Sequence, residues 1–564
     1  MHGLMMDEPL MISSLIEFAA DNYADIEVIS RVGEGKPVRT TYGAVRNRAR
    51  RLAKILQDLG IGPGDRVATL AWNDHRHMEL YYAVSGIGAV LHTINPRLFP
   101  EQVRYIVNHA ADRIVFADPG FVPMLEALAP QLSSVEQYIV LADRLASPAP
   151  KLTNAAGYED LLAGEQSGVE WPSFDERTAS SLCYSSGTTG DPKGVLYSHR
   201  ATVLHTLNCI SGDLLGLSRK DTVLAIVPMA HANGWALPYA GPLTGAKLVL
   251  PGAKLDGASI YELIETEQVT FAPGVPTVFA MLLDHVQRNG KKFSSLQRIA
   301  VGGSAPPLSM LRAFEADFGV EVLQAWGLTE SSNFGTLGRL KPAMTGLPAA
   351  QRYAIQQKQG LGVYGLRMKI VGDDGAAVPK DGVSRGRLMV RGPWVASGYF
   401  KAAGKKLLTD DGWLETGDIA TIDADGYLNV VDRAKDLVKS GGEWISSVEL
   451  ENIALGHPDI AEACVIATKH PKWVERPLLL YVAKLGATVS SDSVLAFFDG
   501  KIAKWCVPDA AIAVDRLPRT ATGKLAKAQL REQYAGATGA TGATGAAGAT
   551  GATEAGGAAG GSRA

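Results

Sequence analysis

Apolar positions along this chain recur with two different periods, and the switch from one to the other outlines most of its elements. Residues 46–59 place Leu52, Ile55, Leu56 and Leu59 at helical spacing, and Gly60 stands where a helix would stop. Gly62-Pro63-Gly64-Asp65 then turns into Arg66–Leu70, a short apolar run of strand type. Similar runs recur at 113–117, 138–141, Ala179–Tyr184, 195–199, 222–227, Lys247–Leu250 and Arg298–Val301, with helical stretches among them. Strands alternating with helices predict an α/β fold, a large N-terminal domain of mixed β-sheets covered by flanking helices.

From Gly386 the texture changes to short strands and tight turns, as in Gly386-Arg387-Leu388-Met389-Val390-Arg391-Gly392-Pro393 and in 423–431, which predicts a β-rich subdomain. Beyond Arg433 the pattern gives a helix at Ser447–Leu455, a strand at 463–467, a helix at 491–504 and a last strand at 511–514, the size of a small α+β domain. The expected organisation is therefore an N-terminal domain over 1–433, a C-terminal domain over 434–535 and a tail over 536–564. That tail is built of Gly, Ala and Thr and lacks large apolar side chains, so it is expected to be disordered.

A length of 564 residues with 46% hydrophobic and 20% charged residues fits a multidomain globular protein. The net charge of -3 offers no basic footprint for nucleic acid or an anionic membrane, so small molecules are the expected partners. Cys183, Cys209, Cys464 and Cys506 are scattered and match neither a redox pair nor a metal-ligand spacing, which suits a reducing cytoplasm. Neither a secretory signal nor a transmembrane stretch is legible.

The densest chemistry lies in Tyr184-Ser185-Ser186-Gly187-Thr188-Thr189-Gly190-Asp191-Pro192-Lys193-Gly194. Hydroxyls, glycine amides and one cation on a loop pinned between two strands are the parts that hold a polyphosphate. The spacing is not that of a Walker loop, which ends in Gly-Lys-Ser/Thr and opens a helix. The run closely resembles the phosphate loop of the adenylate-forming superfamily, which includes acyl-CoA synthetases, peptide-synthetase adenylation domains and luciferases. The overall texture is most similar to medium-chain acyl-CoA synthetases, a group that includes methylmercaptopropionate-CoA ligases.

That resemblance implies ATP, Mg²⁺, CoA and a small carboxylic acid as reactants, with roles for particular residues. Ser185, Ser186, Gly187, Thr188, Thr189, Gly190 and Lys193 would hold phosphates, and Gly302, Gly303, Ser304 and Ala305 would line the adenine and acyl sites. In Trp326-Gly327-Leu328-Thr329-Glu330, Trp326 would lie against the adenine beside Gly327, Thr329 would bond a phosphate oxygen and Glu330 would hold Mg²⁺. Trp326 stands where the superfamily more often has Tyr. Asp418 would accept both ribose hydroxyls, with Arg433 completing the clamp.

In the small domain, Lys524 matches the lysine that the family brings to the carboxylate and α-phosphate. Lys435 matches its hinge, about which this domain rotates. Lys439 and the Gly441, Gly442 and Glu443 segment resemble the face presented when CoA attacks. His231, Trp235 and Val275 would join Gly302 in the acyl wall, and Ala230 stands where the family usually has Phe, which should widen that wall. The implied activity is an AMP-forming carboxylate-CoA ligase acting on a medium-chain or substituted alkanoic acid. A free-standing enzyme that loads a carrier protein and a non-catalytic acyl-adenylate binder are the other two readings. Assembly as a homodimer is left open.

Overall fold

A computed structural model describes residues 1–535 apart from 2, 34, 146–149, 186–190, 403, 405, 442 and 521–523, with residue 233 described by its backbone alone. The chain divides into two compact units, Met1–Lys435 with Pro518–Ala528 and, separately, Asp436–Leu517 with the residues from Gln529 onward. No described helix is long and apolar enough to cross a membrane.

The large unit carries three sheets. In a seven-stranded sheet, Ala156–Gly157, Gln137–Val140, Ile114–Ala117, Arg66–Leu70, Val90–Thr93 and Ala179–Tyr184 run parallel in that spatial order, and Gly194–Ser198 closes the edge antiparallel to Ala179–Tyr184. A nine-stranded sheet has the order Leu361–Gly362, Thr336–Leu337, Glu321–Trp326, Arg298–Val301, Phe271–Gly274, Thr222–Leu224, Lys247–Leu250, Glu27–Ser30 and Val38–Thr41. The third sheet is a four-stranded antiparallel array of Arg367–Val371, Gly386–Arg391, Leu414–Ile422 and Leu428–Arg433. It supplies the β-rich texture that begins near Gly386.

The helix His75–Gly86 is buried at every position, and one apolar cluster joins Val67 and Phe116 of the seven-stranded sheet to Val28 and Phe271 of the nine-stranded one. A helix with no exposed face belongs in the interior of an α/β layer structure. On this central segment Tyr82 donates its hydroxyl to the carbonyl of Pro238 at 2.6 Å.

Most elements begin and end where local chemistry dictates. The predicted helix over 46–59 forms as Tyr42–Asp58, capped by the Thr41 hydroxyl accepting from the Ala44 amide at 3.3 Å. Gly60 follows it at φ +77°. The strand expected over 222–227 stops at Leu224, because the Asn73 side-chain amide draws off the carbonyls of Ala225 and Val227, at 2.7 Å each. The strand expected over 195–199 ends at Ser198, which caps a new helix, His199–Cys209, by accepting from the Ala201 amide at 3.1 Å.

The smaller unit holds a five-stranded sheet, Glu443–Ile445, Val438–Ser440, Val474–Ala483 and Ile460–His470 in order, with Ala510–Ala513 added parallel to Val474–Ala483. Helix Ser447–Leu455 covers it around a core that includes Val465, Leu479 and Phe498. The helix expected over 491–504 ends at Ala496, and the chain turns through Gly500 at φ +70°.

Candidate active site

The phosphate-type loop leaves the sheet between Tyr184 and Gly194, and its neck is closed by two bonds. Ser185 donates its amide to the Lys193 carbonyl at 2.9 Å, and Lys193 donates its amide to the Ser185 hydroxyl at 3.2 Å. Ser186, Gly187, Thr188, Thr189 and Gly190 lie outside the described residues. Beyond the neck, the Lys193 ammonium sits 5.0 Å from the centre of the Tyr399 ring. Tyr399 in turn donates its hydroxyl to Oε1 of Glu330 at 2.7 Å. The Thr329 carbonyl accepts from the Tyr197 hydroxyl at 2.6 Å. Lys193, Thr329 and Glu330 are thus gathered around two tyrosines that the sequence analysis did not single out.

The turn that carries Thr329 and Glu330 depends on Gly327, where a Cβ would lie 1.0 Å from the Asn333 carbonyl oxygen. Just before it, at the end of strand Glu321–Trp326, Trp326 donates its indole N–H to Oδ2 of Asp418 at 3.0 Å. Arg433 holds the other oxygen, Nε to Oδ1, at 2.9 Å. Strand pairing places Asp418 opposite Arg433 across neighbouring strands. Burial pushes the Asp418 carboxyl up, and the Arg433 guanidinium is the first of the groups that pull it back. A carboxylate has about four acceptor positions, so each oxygen keeps capacity for a further donor such as a sugar hydroxyl.

The Gly302 segment follows strand Arg298–Val301, and its amide donates to the Gly274 carbonyl at 3.1 Å. A Cβ on Gly302 would lie 2.6 Å from Cη2 of Trp235, and one on Gly303 would lie 3.4 Å from Cγ1 of Val275. Gly302, Gly303, Trp235 and Val275 therefore meet, while the exposed Ser304 and half-buried Ala305 continue the same segment. His231 is half-buried and its imidazole is pushed down to about 4, first by burial and then by Lys524, so it is neutral at pH 7. Ala230 is buried, and its carbonyl accepts from the Thr93 hydroxyl at 3.3 Å.

Lys524 lies on the 518–528 segment that clusters with the large unit. The surrounding protein pushes its ammonium down to about 8, with Arg433 next among the causes, while Asp418 and Glu330 pull the other way. The residue nevertheless keeps an exposed face. Solvent there screens part of the push.

In the smaller unit, Lys439 donates its amide to Glu475 at 2.8 Å and holds its ammonium 4.7 Å from the Trp444 ring centre. Gly441 adopts φ +62° against the Trp473 ring, where a Cβ would come to 2.9 Å. Glu443 is exposed, as is Lys435 at the edge of the large unit, and Gly442 lies outside the described residues.

Residues 16–400 match the model of the AMP-binding enzyme family, and 449–524 match that of the AMP-binding enzyme C-terminal domain. The chain belongs to the AMP-binding enzyme family. It is 48% identical to the 3-methylmercaptopropionyl-CoA ligase of Ruegeria lacuscaerulensis over 95% of this chain and 99% of that one. It is also 48% identical to the medium-chain-fatty-acid–CoA ligase of Ectopseudomonas oleovorans, over 95% of this chain and 98% of that one. The structure of the anthranilate CoA ligase AuaEII in complex with anthranoyl-AMP superposes with a TM-score of 0.83 at 25% identity, covering 93% of this chain and 98% of that one.

Proposed function

We propose that this family member is an AMP-forming carboxylate-CoA ligase for a medium-chain or heteroatom-substituted alkanoic acid. The observation that carries the reading is the convergence, within the large unit, of the Trp326–Asp418–Arg433 cluster, Glu330 and Lys524. It combines a buried acceptor for a sugar diol, a carboxylate suited to a hard cation and a cation for a reacting oxyanion.

In the first half-reaction the acid's carboxylate attacks the α-phosphorus of ATP, giving acyl-AMP and pyrophosphate. In the second the CoA sulfur attacks the acyl carbonyl, giving the thioester and AMP. A carboxylate is already nucleophilic, so the first step requires no general base, and the neutral His231 serves as wall. Asp418, Arg433 and Trp326 would hold the nucleoside, and Ser185 to Lys193 with Thr329 would hold the phosphates. Lys524 would stabilise charge between carboxylate and α-phosphate. Glu330 is half-buried with Oε1 bonded to Tyr399, which leaves Oε2 for the single carboxylate contact typical of Mg²⁺ on phosphates. Bound there, the cation would neutralise phosphate charge.

Lys435 as hinge, with Lys439, Gly441, Gly442 and Glu443 serving the thioester step, belongs to the same reading. It is supported by the unit boundary that falls directly after Lys435. The four buried cysteines are free thiols, which suits a cytoplasmic enzyme, and sedimentation reads whether it works as a homodimer.

The test is AMP release from ATP with a panel of alkyl, thioether and aryl acids, using CoA or a carrier-protein thiol as acceptor. CoA-dependent AMP release and thioester formation are expected. Transfer to the carrier alone would favour the carrier-loading reading, and no acid-dependent AMP release would remove the catalytic one.

A further inference from the structure

The phosphate-type loop has its neck at the edge of the seven-stranded sheet, where Tyr184 pairs with Gly194 at the start of the last strand. A strand end paired from one side frays unless other contacts hold it. Gly194 has no side chain, and its neighbours take the space: a Cβ there would lie 3.2 Å from Cζ of Tyr184 and 3.3 Å from Cβ of Phe400. The neck is therefore flanked by the side chains of Tyr184 and Phe400.

Both side chains meet His109, a half-buried residue in the last turn of helix Pro100–Ala110. Its Nδ1 lies 2.7 Å from the Tyr184 hydroxyl. Its ring packs edge-on against Tyr184 at 5.8 Å and against Phe400 at 5.9 Å between centres, and Tyr105 stacks on it at 5.5 Å. Protonation decides which group donates. Burial pushes the Tyr184 phenol up, so it keeps its proton and donates. The His109 imidazole is pushed down, first by burial and then by Lys401 and His92, against the opposing pull of Asp191, so it is neutral at pH 7 and accepts at Nδ1.

The residues around Phe400 complete the arrangement. Phe400 donates its amide to the Gly194 carbonyl at 2.8 Å. Lys401 donates its ammonium to the His109 carbonyl at 2.8 Å, at a helix end whose last carbonyls lack intrahelical partners and favour a cation. On the other side, Tyr399 carries the contacts to Lys193 and Glu330. Tyr184 precedes Ser185 and Gly194 follows Lys193. The two residues that close the neck are thus each next to a residue steadied by the His109 cluster, although the reaction as described makes no use of this histidine.

Resting on the reading of Lys193 as a phosphate-holding residue, we propose that His109 is a positioning residue for ATP, which holds the Tyr184 hydroxyl and thereby fixes the neck from which Lys193 reaches the phosphates. It acts through Tyr184 rather than on the nucleotide. Its effect falls on the polyphosphate and spares the nucleoside end, which Trp326, Asp418 and Arg433 hold. AMP, which lacks the pyrophosphate, therefore escapes it.

The experiment compares Kd for MgATP and for AMP, by calorimetry, in the wild type, His109→Phe, Tyr184→Phe, the double variant and His109→Asn, alongside each variant's Tm. His109→Phe keeps a ring and loses the acceptor, whereas His109→Asn keeps an acceptor near the Nδ1 position. Each of the first two should weaken MgATP about fivefold, the scale of one net hydrogen bond, and leave AMP unchanged. The double variant should be no weaker than either single one, because both remove the same bond, and His109→Asn should stay near the wild type. If His109→Phe fails to fold, Tyr184→Phe against His109→Asn decides in its place. Equal weakening of MgATP and AMP, additive losses in the double variant, or MgATP binding untouched overturns the role of His109. Lys193→Ala tests the underlying reading separately: if it leaves the ratio of the two constants unchanged, Lys193 does not hold phosphate and this inference falls with it.

Discussion

The indole N–H of Trp326 reaches Oδ2 of Asp418 at 3.0 Å across 92 residues of sequence, while Arg433 holds Oδ1 of the same carboxylate. The carboxylate is thereby fixed in orientation, and Arg433 and Trp326 pull against the burial that pushes it up. Trp326→Phe retains a ring but deletes the donor. A hydrogen bond to a charged group is worth about 1.5 to 3 kcal/mol, so the KM for ATP should rise about tenfold or more, with a smaller change in the KM for the acid. Equal effects on both substrates would show that the indole does not serve the nucleotide side.

Tyr399 links Lys193 to Glu330 through its ring face and its hydroxyl. Tyr399→Phe keeps the ring over the lysine and frees the carboxylate. The Mg²⁺ concentration for half-maximal activity should rise severalfold, and excess Mg²⁺ should restore much of the rate. Tyr399→Leu also removes the cation–π contact, so added Mg²⁺ should rescue it less well. A Tyr399→Phe enzyme with an unaltered Mg²⁺ response would separate Tyr399 from the cation site.

Neither of these links could be read from the chain. Tyr399 and Glu330 are 69 residues apart, and no periodicity ties a tyrosine in a turn after Pro393 to an acid after Trp326. The α/β layering was legible because apolar runs such as Arg66–Leu70 and Lys247–Leu250 are buried strands with turns at their ends. Boundaries failed where a distant side chain intervened, as Asn73 does beyond Leu224. The Trp326, Asp418 and Arg433 motifs were visible singly, but their meeting depends on the register of Leu414–Ile422 against Leu428–Arg433.

Lys524 sets a pH dependence. Its ammonium is pushed down from its ordinary 10.5 to about 8 by desolvation and by Arg433, so the charge is present at lower pH and is lost as pH rises through about 8. The kcat/KM of acyl-AMP formation should therefore fall as pH rises through about 8. Lys524→Arg, whatever its rate, should lack that fall, because a guanidinium stays protonated. Between about 8 and 10.5 the unfolded chain binds this proton more tightly than the folded one, so this group's contribution to stability rises with pH there. An identical alkaline limb in wild type and Lys524→Arg would assign it to another group.

The central claim, acid activation through an acyl-adenylate with Lys524 serving that step, is tested most directly by separating the half-reactions in wild type and Lys524→Ala. Pyrophosphate release from ATP and acid in single turnover reports the first, and thioester formation from supplied acyl-AMP and CoA reports the second. The wild type should release pyrophosphate only when acid is present. In Lys524→Ala the first step should slow by on the order of a hundredfold or more, the scale for loss of a preorganised charge at a reacting centre, while the second proceeds near the wild-type rate. Equal damage to both steps, or acid-independent pyrophosphate release by the wild type, would contradict the account.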